Sequence, residues 1–491
     1  MLGIVTVHDY GESWDEADIR RYSVYAINAY PFLFHPGDLP QFDTNLNLYG
    51  PGYFAVASLT SRALAFAYPS WSIVTAWHAV YFLTFLGGVL CIYLLALRSM
   101  SDRAAFGAAL LFLSQPLLWG HAFINPKDMP FLTLFLATMY FGFRMVDGLT
   151  NSARIHVDLA IAAVLLGFTS SLRVLGPLAG VIVLTYAGYR WRSRAILPLS
   201  IYLILAGLTA YLCWPYLWVA PVSRVLESLN TMADFPFRSS ILFAGQLYKA
   251  DQLPFTYFPT ILGIQLTESA IFLIAVGFVV SIISFVQGGN KGPLLLLLAW
   301  FLLPTLAVLG SRTPLYDNAR QLFFLLPPLF IVAGLAFEWL FRHFRQPLVQ
   351  GALLLAAALP GVLIGARLHP YEYVYYNALV RGTGGAFRYY EMDYWGTSYD
   401  ELSRQINTKV PSGSKVLVYG PEQILAARLR PDLQVFIPRE GTNPGYDYVV
   451  LLTRSNADQR LCRDAEIIYS LGRRGAVFSE LRRIPVGARC Q

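Results

Sequence analysis

Residues 73–97 read IVTAWHAVYFLTFLGGVLCIYLLAL and contain no Asp, Glu, Lys or Arg. A helix of about 20 mainly apolar residues is long enough to cross the hydrocarbon core of a bilayer. Similar stretches recur as far as Ala366, and they predict ten spans at about 73–97, 104–120, 129–146, 158–172, 174–190, 196–214, 269–286, 293–310, 321–340 and 349–366. The sequence therefore predicts a polytopic α-helical membrane protein.

The composition supports this prediction. Of the 491 residues 56% are hydrophobic and only 14% are charged, whereas a typical soluble domain carries about 25% charged residues. The aromatic content of 15% suits a chain with many membrane interfaces. No basic stripe or recognised binding module accompanies the net charge of +7, so nucleic acid is not an expected partner. No CxxC, HExxH, P-loop or GxGxxG motif indicates a metalloprotease, an ATPase or a dinucleotide enzyme.

The short loops on one side of the predicted bundle are basic. If the loop before the first span is external, the internal connections hold Arg98 and Arg103, Arg144 and Arg154, Arg190, Arg192 and Arg194, Lys291, and Arg342 and Arg345. The external loops then hold most of the acids, among them Asp9, Glu12, Asp15, Glu16, Asp18, Asp128, Asp234, Asp251 and Asp317. The positive-inside rule favours this orientation.

Residues 1–7, MLGIVTV, look like the last two turns of another span. They have neither the basic n-region nor the A-x-A cleavage site of a signal peptide. We expect a complete first span encoded upstream of Met1, which would give eleven spans and a cytoplasmic N-terminus. The alternative is an ordinary apolar N-terminus.

The composition changes after residues 1–367, which form the predicted transmembrane catalytic domain. Residues 368–491 are more charged, and strand-like runs at 415–420, 434–438, 446–452 and 466–471 alternate with helix-like pieces at 398–408 and 421–428. This pattern predicts a small C-terminal α/β domain, which the span count places outside the cytoplasm. Its two cysteines, Cys462 and Cys490, are either a disulfide or free thiols, and the sequence leaves both open.

Four predicted external turns place acids beside cations at the ends of apolar helices. The first loop holds Asp15 and Glu16, and the second, WGHAFINPKDMPF (119–131), holds His121, Asn125, Lys127 and Asp128. The turn SSLRVLGP (170–177) holds Arg173, and SRTPLYDNARQLFFLLPPL (311–329) holds Arg312, Tyr316, Asp317 and Arg320. Charged residues at membrane depth are costly and usually functional.

Together these residue types suit one kind of chemistry. Lys127, Arg173 and Arg320 would bind an anionic phosphate, Lys as a point charge and Arg as a bidentate fork. A carboxylate in the same recess would accept a proton from a hydroxyl group. The combination indicates a transferase that uses a lipid phosphate. The alternative, ion pairs at helix ends that only fix the topology, is the interpretation we adopt for Arg20, Arg21 and Arg312.

The order and spacing of these turns resemble the GT-C superfamily of polyprenyl-phosphate-sugar glycosyltransferases. The likeness is to bacterial members of family 39, related to protein O-mannosyltransferases and the lipid A aminoarabinose transferase, and it covers roughly residues 1–370. It rests on the acidic pair of the first loop, the Asn-Pro-Lys-Asp turn, the later Arg and the Tyr-Asp-x-x-Arg segment with its Pro-Pro. HPYEYVYYNALV (369–380) and YYEMDYWGTSY (389–399) are similar to a subgroup of these proteins.

The resemblance implies roles for individual residues. Asp15 would be the catalytic base, Glu16 its neighbour and Asp128 the second-loop acid. Lys127 and Arg173, with Arg320, would hold the phosphate of the lipid donor. The supporting residues would be His121, Asn125, Tyr316 and Asp317. Members of the family differ in metal dependence, and Asp15, Glu16, Asp128 and His121 are candidate ligands of a divalent cation, although no spacing demands one.

The implied reaction is an inverting transfer of a sugar from a polyprenyl-phosphate donor to a hydroxyl group of a protein, lipid or glycan. It would take place on the outer side of the bacterial plasma (inner) membrane, in contact with membrane lipid. The long loop 215–260 would cover the donor or shape the acceptor groove, or would only pack at the interface. A transporter or lipid flippase is the main alternative, but the charges cluster at one rim and no repeated halves are visible. A scaffold protein would leave Asp15 and Asp128 unexplained.

Overall fold

The structure is a computed structural model that describes residues 1–40, 42, 44–149, 155–235, 237, 239–288, 292–311, 313–438, 445–485 and 490. Arg154, Lys291 and Arg312 lie outside these residues. The described part consists of apolar helices followed by a small C-terminal sheet domain.

Three helices precede the first long apolar helix: α1 (Leu2–Val5), α2 (Glu16–Ala29) and α3 (Gly52–Ala67). The sequence did not predict α3, because Thr60, Ser61 and Arg62 interrupt its apolar pattern. The helix packs against α2 and against the first long helix. It therefore lies beside both α2 and α4.

Apolar helices lie in each of the ten predicted spans. They are α4 (Ile73–Ala96), α5 (Asp102–Leu113), α6 (Pro116–Ile124), α7 (Asp128–Gly148), α8 (Ile155–Leu172), α9 (Pro177–Trp191), α10 (Ile196–Leu212), α13 (Glu268–Val286), α14 (Gly292–Ser311), α15 (Pro327–His343) and α16 (Pro347–Leu368), with α11 (Pro221–Ala233) and α12 (Tyr257–Gln265) in the loop before α13. Among the described residues, five of these helices are long and apolar enough to cross a membrane, or up to seven if two bent pairs each count as one span. The protein is therefore a multi-pass membrane protein.

Two predicted spans are bent rather than straight. The spans expected at 104–120 and 321–340 bend by 64° between α5 and α6 and by 62° between Asp317–Leu325 and α15. Pro116 starts α6 and cannot continue the hydrogen bonding of α5. Near this break the side chain of Gln115 donates to the carbonyl of Leu111 at 2.8 Å and accepts from the backbone N–H of Thr267 at 3.0 Å. Such side-chain bonds make a break tolerable at membrane depth.

The loop 215–260 contains regular structure as well. After α11 a short hairpin pairs β1 (Ile241–Phe243) with β2 (Gln246–Tyr248). Its two-residue turn, Ala244 and Gly245, has φ angles of 50° and 80°, as a type I′ hairpin turn requires. Helix α11 exposes Val222, Leu226 and Leu229, spaced to lie on one face.

The C-terminal domain is a five-stranded mixed sheet with the order β4-β3-β5-β7-β6. Its elements are α17 (Gly382–Ala386), α18 (Ser398–Lys409), β3 (Lys415–Tyr419), α19 (Glu422–Ala426), β4 (Gln434–Phe436), β5 (Tyr448–Leu452), β6 (Glu466–Arg473) and β7 (Ala476–Arg483). Strand β3 runs parallel to β4 and β5, while β7 runs antiparallel to β5 and β6. The sequence predicted four of these strands and missed β7. Cys462 and Cys490 form a disulfide.

The segment between α16 and α18 joins the two parts through buried aromatic side chains. Tyr371, Tyr373, Tyr376, Tyr394 and Trp395 are each at most 2% exposed. Trp395 accepts a backbone hydrogen bond from Trp14 at 3.0 Å. The first loop, with its acidic pair, is therefore packed directly against the C-terminal region.

Candidate active site

The turn between α6 and α7 fixes the position of Asp128. The side-chain oxygen of Asn125 accepts hydrogen bonds from the backbone N–H groups of Lys127 at 3.2 Å and Asp128 at 2.8 Å. Its amide nitrogen donates to Oδ2 of Asp128 at 3.0 Å. The side chain of Asn125 thus satisfies two N–H groups at the start of α7 that have no partner within the helix. The helix dipole then favours the carboxylate in the first turn of α7.

Asp128 is buried between two arginines that come from distant elements. Its Oδ1 accepts a hydrogen bond from Nη2 of Arg173, in the turn between α8 and α9. Its Oδ2 accepts from Nη1 of Arg320 at 2.6 Å. A buried carboxylate needs such partners to remain charged. Both oxygens of Asp128 are thus engaged in holding Arg173 and Arg320 together.

The backbone just before Arg320 is strained. Asp317, Asn318 and Ala319 have φ angles of 51°, 59° and 55°, in the left-handed region. Such residues cost roughly 1–3 kcal/mol each and cluster at functional sites. Asn318 donates a hydrogen bond to the hydroxyl of Tyr376 at 2.8 Å. Arg320 donates through Nη2 to Oδ2 of Asp317 at 3.3 Å, which closes the turn around the charged groups.

Aromatic rings surround Arg320. Its guanidinium carbon lies 4.2 Å from the centre of the Trp395 ring and 5.4 Å from that of Tyr316, within the range of cation–π attraction. Tyr316 in turn stacks on Phe237 at 4.1 Å. Burial and the neighbouring Tyr49 raise the pKa of Tyr316 to about 12, despite the nearby cations. Tyr316 therefore keeps its hydroxyl proton and can donate a hydrogen bond.

Asp15 lies beside the same cluster and forms an ion pair with Lys127. Their atoms Oδ2 and Nζ are 2.7 Å apart, with side chains 29% and 10% exposed. Burial alone would raise the pKa of Asp15, but the charges of Lys127 and Arg320 outweigh it and lower the pKa below its ordinary value. Asp15 is therefore ionised at neutral pH and retains access to solvent.

Glu16 takes a different position from its neighbour. Its side chain is fully buried, with both oxygens within 3.2 Å of Nε2 of His78. The backbone N–H of Ser13 donates to Oε2 at 2.6 Å. The hydroxyl of Ser13 donates to the carbonyl of Ile124 at 2.7 Å. Glu16 thus anchors the first loop to α4 and, through Ser13, to the end of α6.

His121 lies under the cluster rather than at its surface. It is buried and shares a hydrogen bond with the hydroxyl of Tyr394 at 2.9 Å through Nε2. Its Nδ1 accepts from the amide of Asn125 at 3.1 Å. His121 therefore supports Asn125, which holds the start of α7.

The candidate cation ligands do not come together. Glu16 and His121 each bind other partners, as described above, and Asp128 is enclosed by arginines. Within the ranges that the structure describes, no group of three or more His, Cys, Asp or Glu side chains is arranged to hold a metal ion.

Two residues that the sequence did not single out belong to the same cluster. Tyr49 lies with its ring centre 5.2 Å from Nζ of Lys127 and 5.7 Å from the guanidinium carbon of Arg173. Arg454, from the C-terminal domain, donates through Nη2 to Oδ1 of Asp317 at 2.6 Å. Tyr49 lies in the first loop, far along the chain from the acidic pair, and Arg454 lies in the C-terminal domain. Only the three-dimensional structure brings them to the site.

The cluster has an excess of positive charge. Its acids are Asp15, Asp128 and Asp317, and its bases are Lys127, Arg173, Arg320 and Arg454. Three negative and four positive charges leave a net charge of +1. The arrangement can therefore hold an anion while one carboxylate, that of Asp15, stays partly accessible.

Two solved structures share this architecture. The chain matches the crystal structure of ArnT from Cupriavidus metallidurans in the apo state with a TM-score of 0.50 and 13% identity, over 96% of this chain and 93% of that one. It matches ArnT from the same organism bound to undecaprenyl phosphate with a TM-score of 0.50 and 14% identity, over 93% and 92% of the two chains. No model of a protein family matches the chain, and no curated protein matches it. The chain therefore shares the fold of these two ArnT structures.

Proposed function

We propose that the chain is a membrane glycosyltransferase that moves a sugar from a polyprenyl-phosphate donor to an acceptor hydroxyl group. The observation that carries this proposal is the convergence of Lys127, Arg173 and Arg320 beside the carboxylate of Asp15. The shared fold supports it, since one ArnT structure contains undecaprenyl phosphate. A lipid phosphate is the kind of anion that the excess positive charge would bind.

The phosphate would lie between Lys127 and Arg173. Nε of Arg173 is buried and has no hydrogen-bond partner among the described residues. A buried donor without a partner costs about 1–3 kcal/mol, and a phosphate oxygen would satisfy it. Lys127 would add a mobile point charge, and the hydroxyl of Tyr316 would be a further donor.

In the proposed reaction the acceptor oxygen attacks the anomeric carbon of the sugar on the face opposite the phosphate. Asp15 takes the proton of that hydroxyl group. The bond between the anomeric carbon and the phosphate oxygen breaks, and its electron pair stays on the lipid phosphate. Lys127, Arg173 and Arg320 stabilise the charge that develops there. One displacement inverts the anomeric configuration.

The other polar residues of the site would support this geometry without touching the reacting atoms. Asp128 holds Arg173 and Arg320 in place. Glu16 fixes the first loop through His78 and Ser13. Asp317 holds Arg320. Asn125 holds the start of α7, and His121 supports Asn125.

We place the site on the extracytoplasmic side of a bacterial plasma membrane. The basic turns Arg98–Arg103 and Arg342–Arg345 lie at the ends of spans opposite the cluster in the predicted topology, which favours their cytoplasmic location. The disulfide between Cys462 and Cys490 is of the kind that persists in oxidising compartments. Both features support an external C-terminal domain.

The acceptor would approach beside the loop 215–260. A cavity of about 430 Å³ lies at the end of this loop, and its walls include Tyr257, Phe258, Val308, Leu309 and Leu315. The loop contacts the site directly, since Phe237 stacks on Tyr316. A protein, lipid or glycan hydroxyl group would be the acceptor.

The test is turnover of defined donors by the purified chain in lipid nanodiscs. A panel of undecaprenyl-phosphate hexoses and pentoses, radiolabelled in the sugar, would be incubated with the protein and a membrane extract as the acceptor source. We expect undecaprenyl phosphate to be released and label to appear in a new product. A transporter or flippase would move the donor across the bilayer and leave it intact, and that result would refute the proposal.

A further inference from the structure

Arg454 belongs to the C-terminal domain, yet its guanidinium lies within the charged cluster. It donates to Oδ1 of Asp317, whose other oxygen accepts from Arg320. The Arg454 side chain is 15% exposed. Its guanidinium carbon lies 5.8 Å from the ring centre of Trp14 and 5.6 Å from that of Phe237. Arg454 thus touches the first loop, the long loop and the strained turn before Arg320.

The C-terminal domain holds Arg454 through a second strained segment. Ser455 and Asn456, which follow it directly, both have φ angles of 53°. The buried carboxylate of Glu391 accepts hydrogen bonds from the backbone N–H and the hydroxyl of Ser455, each at 2.9 Å. The oxygen of the same hydroxyl lies 2.6 Å from the carbonyl oxygen of Ser240, so its one proton is shared between Glu391 and Ser240. A costly backbone conformation persists only where the surroundings fix it. Here the contacts of Ser455 fix that conformation, and with it the position of the Arg454 backbone.

The domain also holds the opposite side of the site. The backbone N–H of Trp14 donates to the carbonyl of Trp395, and the carbonyl of Trp14 accepts from the side chain of Gln423 at 3.2 Å. Trp14 is the residue before Asp15. The C-terminal region therefore contacts both the loop that carries the proposed base and the turn that carries Arg320.

We propose that Arg454 is a positioning residue for the donor phosphate, and that the C-terminal domain is part of the donor site. This inference rests on the proposed function. Arg454 holds one oxygen of Asp317, which keeps the other oxygen on Arg320 and so keeps Arg320 on Asp128. Without Arg454 the Asp317 carboxylate is free to turn, and the net charge of the cluster falls from +1 to zero.

The chain offers a matched control in the same segment. Arg388 donates through both terminal nitrogens to Asp458, at 2.7 and 2.6 Å. Asp458 lies four residues after Arg454. Arg388 is not paired with any acid of the charged cluster among the described residues. Arg388 also donates to Oδ1 of Asn456 at 3.2 Å. Loss of Arg388 should therefore loosen the segment that follows Arg454, but it leaves the ion pair between Arg454 and Asp317 and the charge of the cluster in place.

The experiment measures equilibrium binding of undecaprenyl phosphate and of undecaprenol to the full-length chain in detergent. Wild type should prefer the phosphate lipid. R454Q should bind the phosphate lipid about tenfold or more weakly, the scale of one charge-assisted hydrogen bond, while undecaprenol binding stays unchanged. R454K, which keeps the charge, should recover part of the loss, and R388Q should bind within about twofold of wild type. In the R454Q/D317N variant the combined loss should be smaller than the product of the two single losses, because both act through one interaction.

The outcomes separate the two proposals. If wild type binds both lipids alike, the proposed donor site is wrong. If wild type prefers the phosphate lipid and R454Q binds that lipid with the affinity of wild type, Arg454 has no positioning role. An equal loss in R388Q and R454Q would mean that the domain acts only on stability, which also overturns the inference. If R454Q does not fold, R454K and D317N provide the comparison, and full wild-type affinity in D317N would contradict it.

Discussion

The ammonium nitrogen of Lys127 lies 2.7 Å from Oδ2 of Asp15. The pair joins the proposed base to a proposed ligand of the donor phosphate. Lys127 keeps Asp15 ionised while the site is empty, since its charge lowers the pKa of that carboxyl against the opposing effect of burial. A bound phosphate would also interact with Lys127 and would weaken the attraction between Lys127 and Asp15. The proton affinity of Asp15 would then rise when the donor is in place, as a base requires.

The first prediction concerns the pH dependence of turnover. In K127M the main cation that lowers the pKa of Asp15 is gone, while burial still raises it. The carboxylate should therefore be protonated at higher pH, and the acid limb of the kcat/KM profile should move upward. K127R keeps the charge and should leave the acid limb in place. Acid limbs that coincide in K127M and wild type would show that Lys127 does not control Asp15.

The second prediction concerns Arg173. R173M removes a phosphate ligand, so undecaprenyl phosphate should bind about tenfold or more weakly. It also leaves Asp128 with one arginine instead of two, and breaking a buried ion pair costs about 3–5 kcal/mol. The Tm should therefore fall as well. R173K should restore most of the stability and part of the affinity, and wild-type affinity in a folded R173M would exclude Arg173 from the phosphate site.

The third prediction concerns stability and pH at the junction after α16. His369 lies 2.7 Å from Oε1 of Glu372 and 3.0 Å from Oδ2 of Asp9. Burial would lower its pKa, but the two carboxylates outweigh burial and raise the pKa of His369 to about 9. Because protonated His369 is favoured in the folded state, its charge stabilises the fold. This stabilisation is complete at pH values below the unfolded pKa of about 6.5, and it is lost as the pH rises through 9.

H369Q should therefore have a lower Tm than wild type at pH 6.5, and the difference should shrink as the pH passes 9. Thermal unfolding at a series of pH values measures this difference. A Tm difference that stays constant from pH 6 to pH 10 would show that the charge of His369 does not contribute.

The fourth prediction concerns topology. Single cysteines at Thr408 and Asp234, both exposed, should react with a membrane-impermeant maleimide added to intact cells. Cysteines at Ser99 and Gln346, also exposed, should react only after the cells are opened. Labelling of S99C from outside would reverse the proposed orientation.

Helix positions were the most predictable part of the fold. A span needs about 20 apolar residues whatever its partners, so each predicted stretch, such as 73–97, contains a helix. The bend at Pro116 was missed because the stretch 104–120 was treated as one straight span, although a proline inside a helical pattern breaks it. The bond between Gln115 and Thr267, 152 residues later in the chain, could not be predicted. Helix α3 and strand β7 were missed because their patterns are mixed and packing against neighbours decides them.

The site was predictable where its residues lie in turns between spans. Lys127, Asp128, Arg173 and Arg320 are charges that interrupt apolar runs, and the structure places them together. For Asp15 and Glu16, adjacency in the sequence did not mean that both carboxylates face the same site. These neighbours face different partners, Lys127 and His78, because α2 starts between them. Arg454 carried no signal, since one arginine in a polar domain is unremarkable without its contact to Asp317.

The central claim is that Asp15 is the base of a sugar transfer, and the most direct test is the turnover of D15N. The substitution keeps the size of the side chain and removes its ability to accept a proton. A positioned base contributes about 10²–10⁴-fold to the rate, so kcat should fall by that factor in D15N. The affinity for undecaprenyl phosphate should stay close to that of wild type, as expected for a group that acts in the chemical step.

E16Q is the matched control, because Glu16 is buried against His78 and should affect Tm more than kcat. The decisive measurement is single-turnover sugar transfer by D15N, E16Q and wild type, each shown to be folded and saturated with donor. A loss of about 10²–10⁴-fold in D15N alone is the predicted result. Transfer by D15N at the wild-type rate would contradict the assignment of Asp15 as the base.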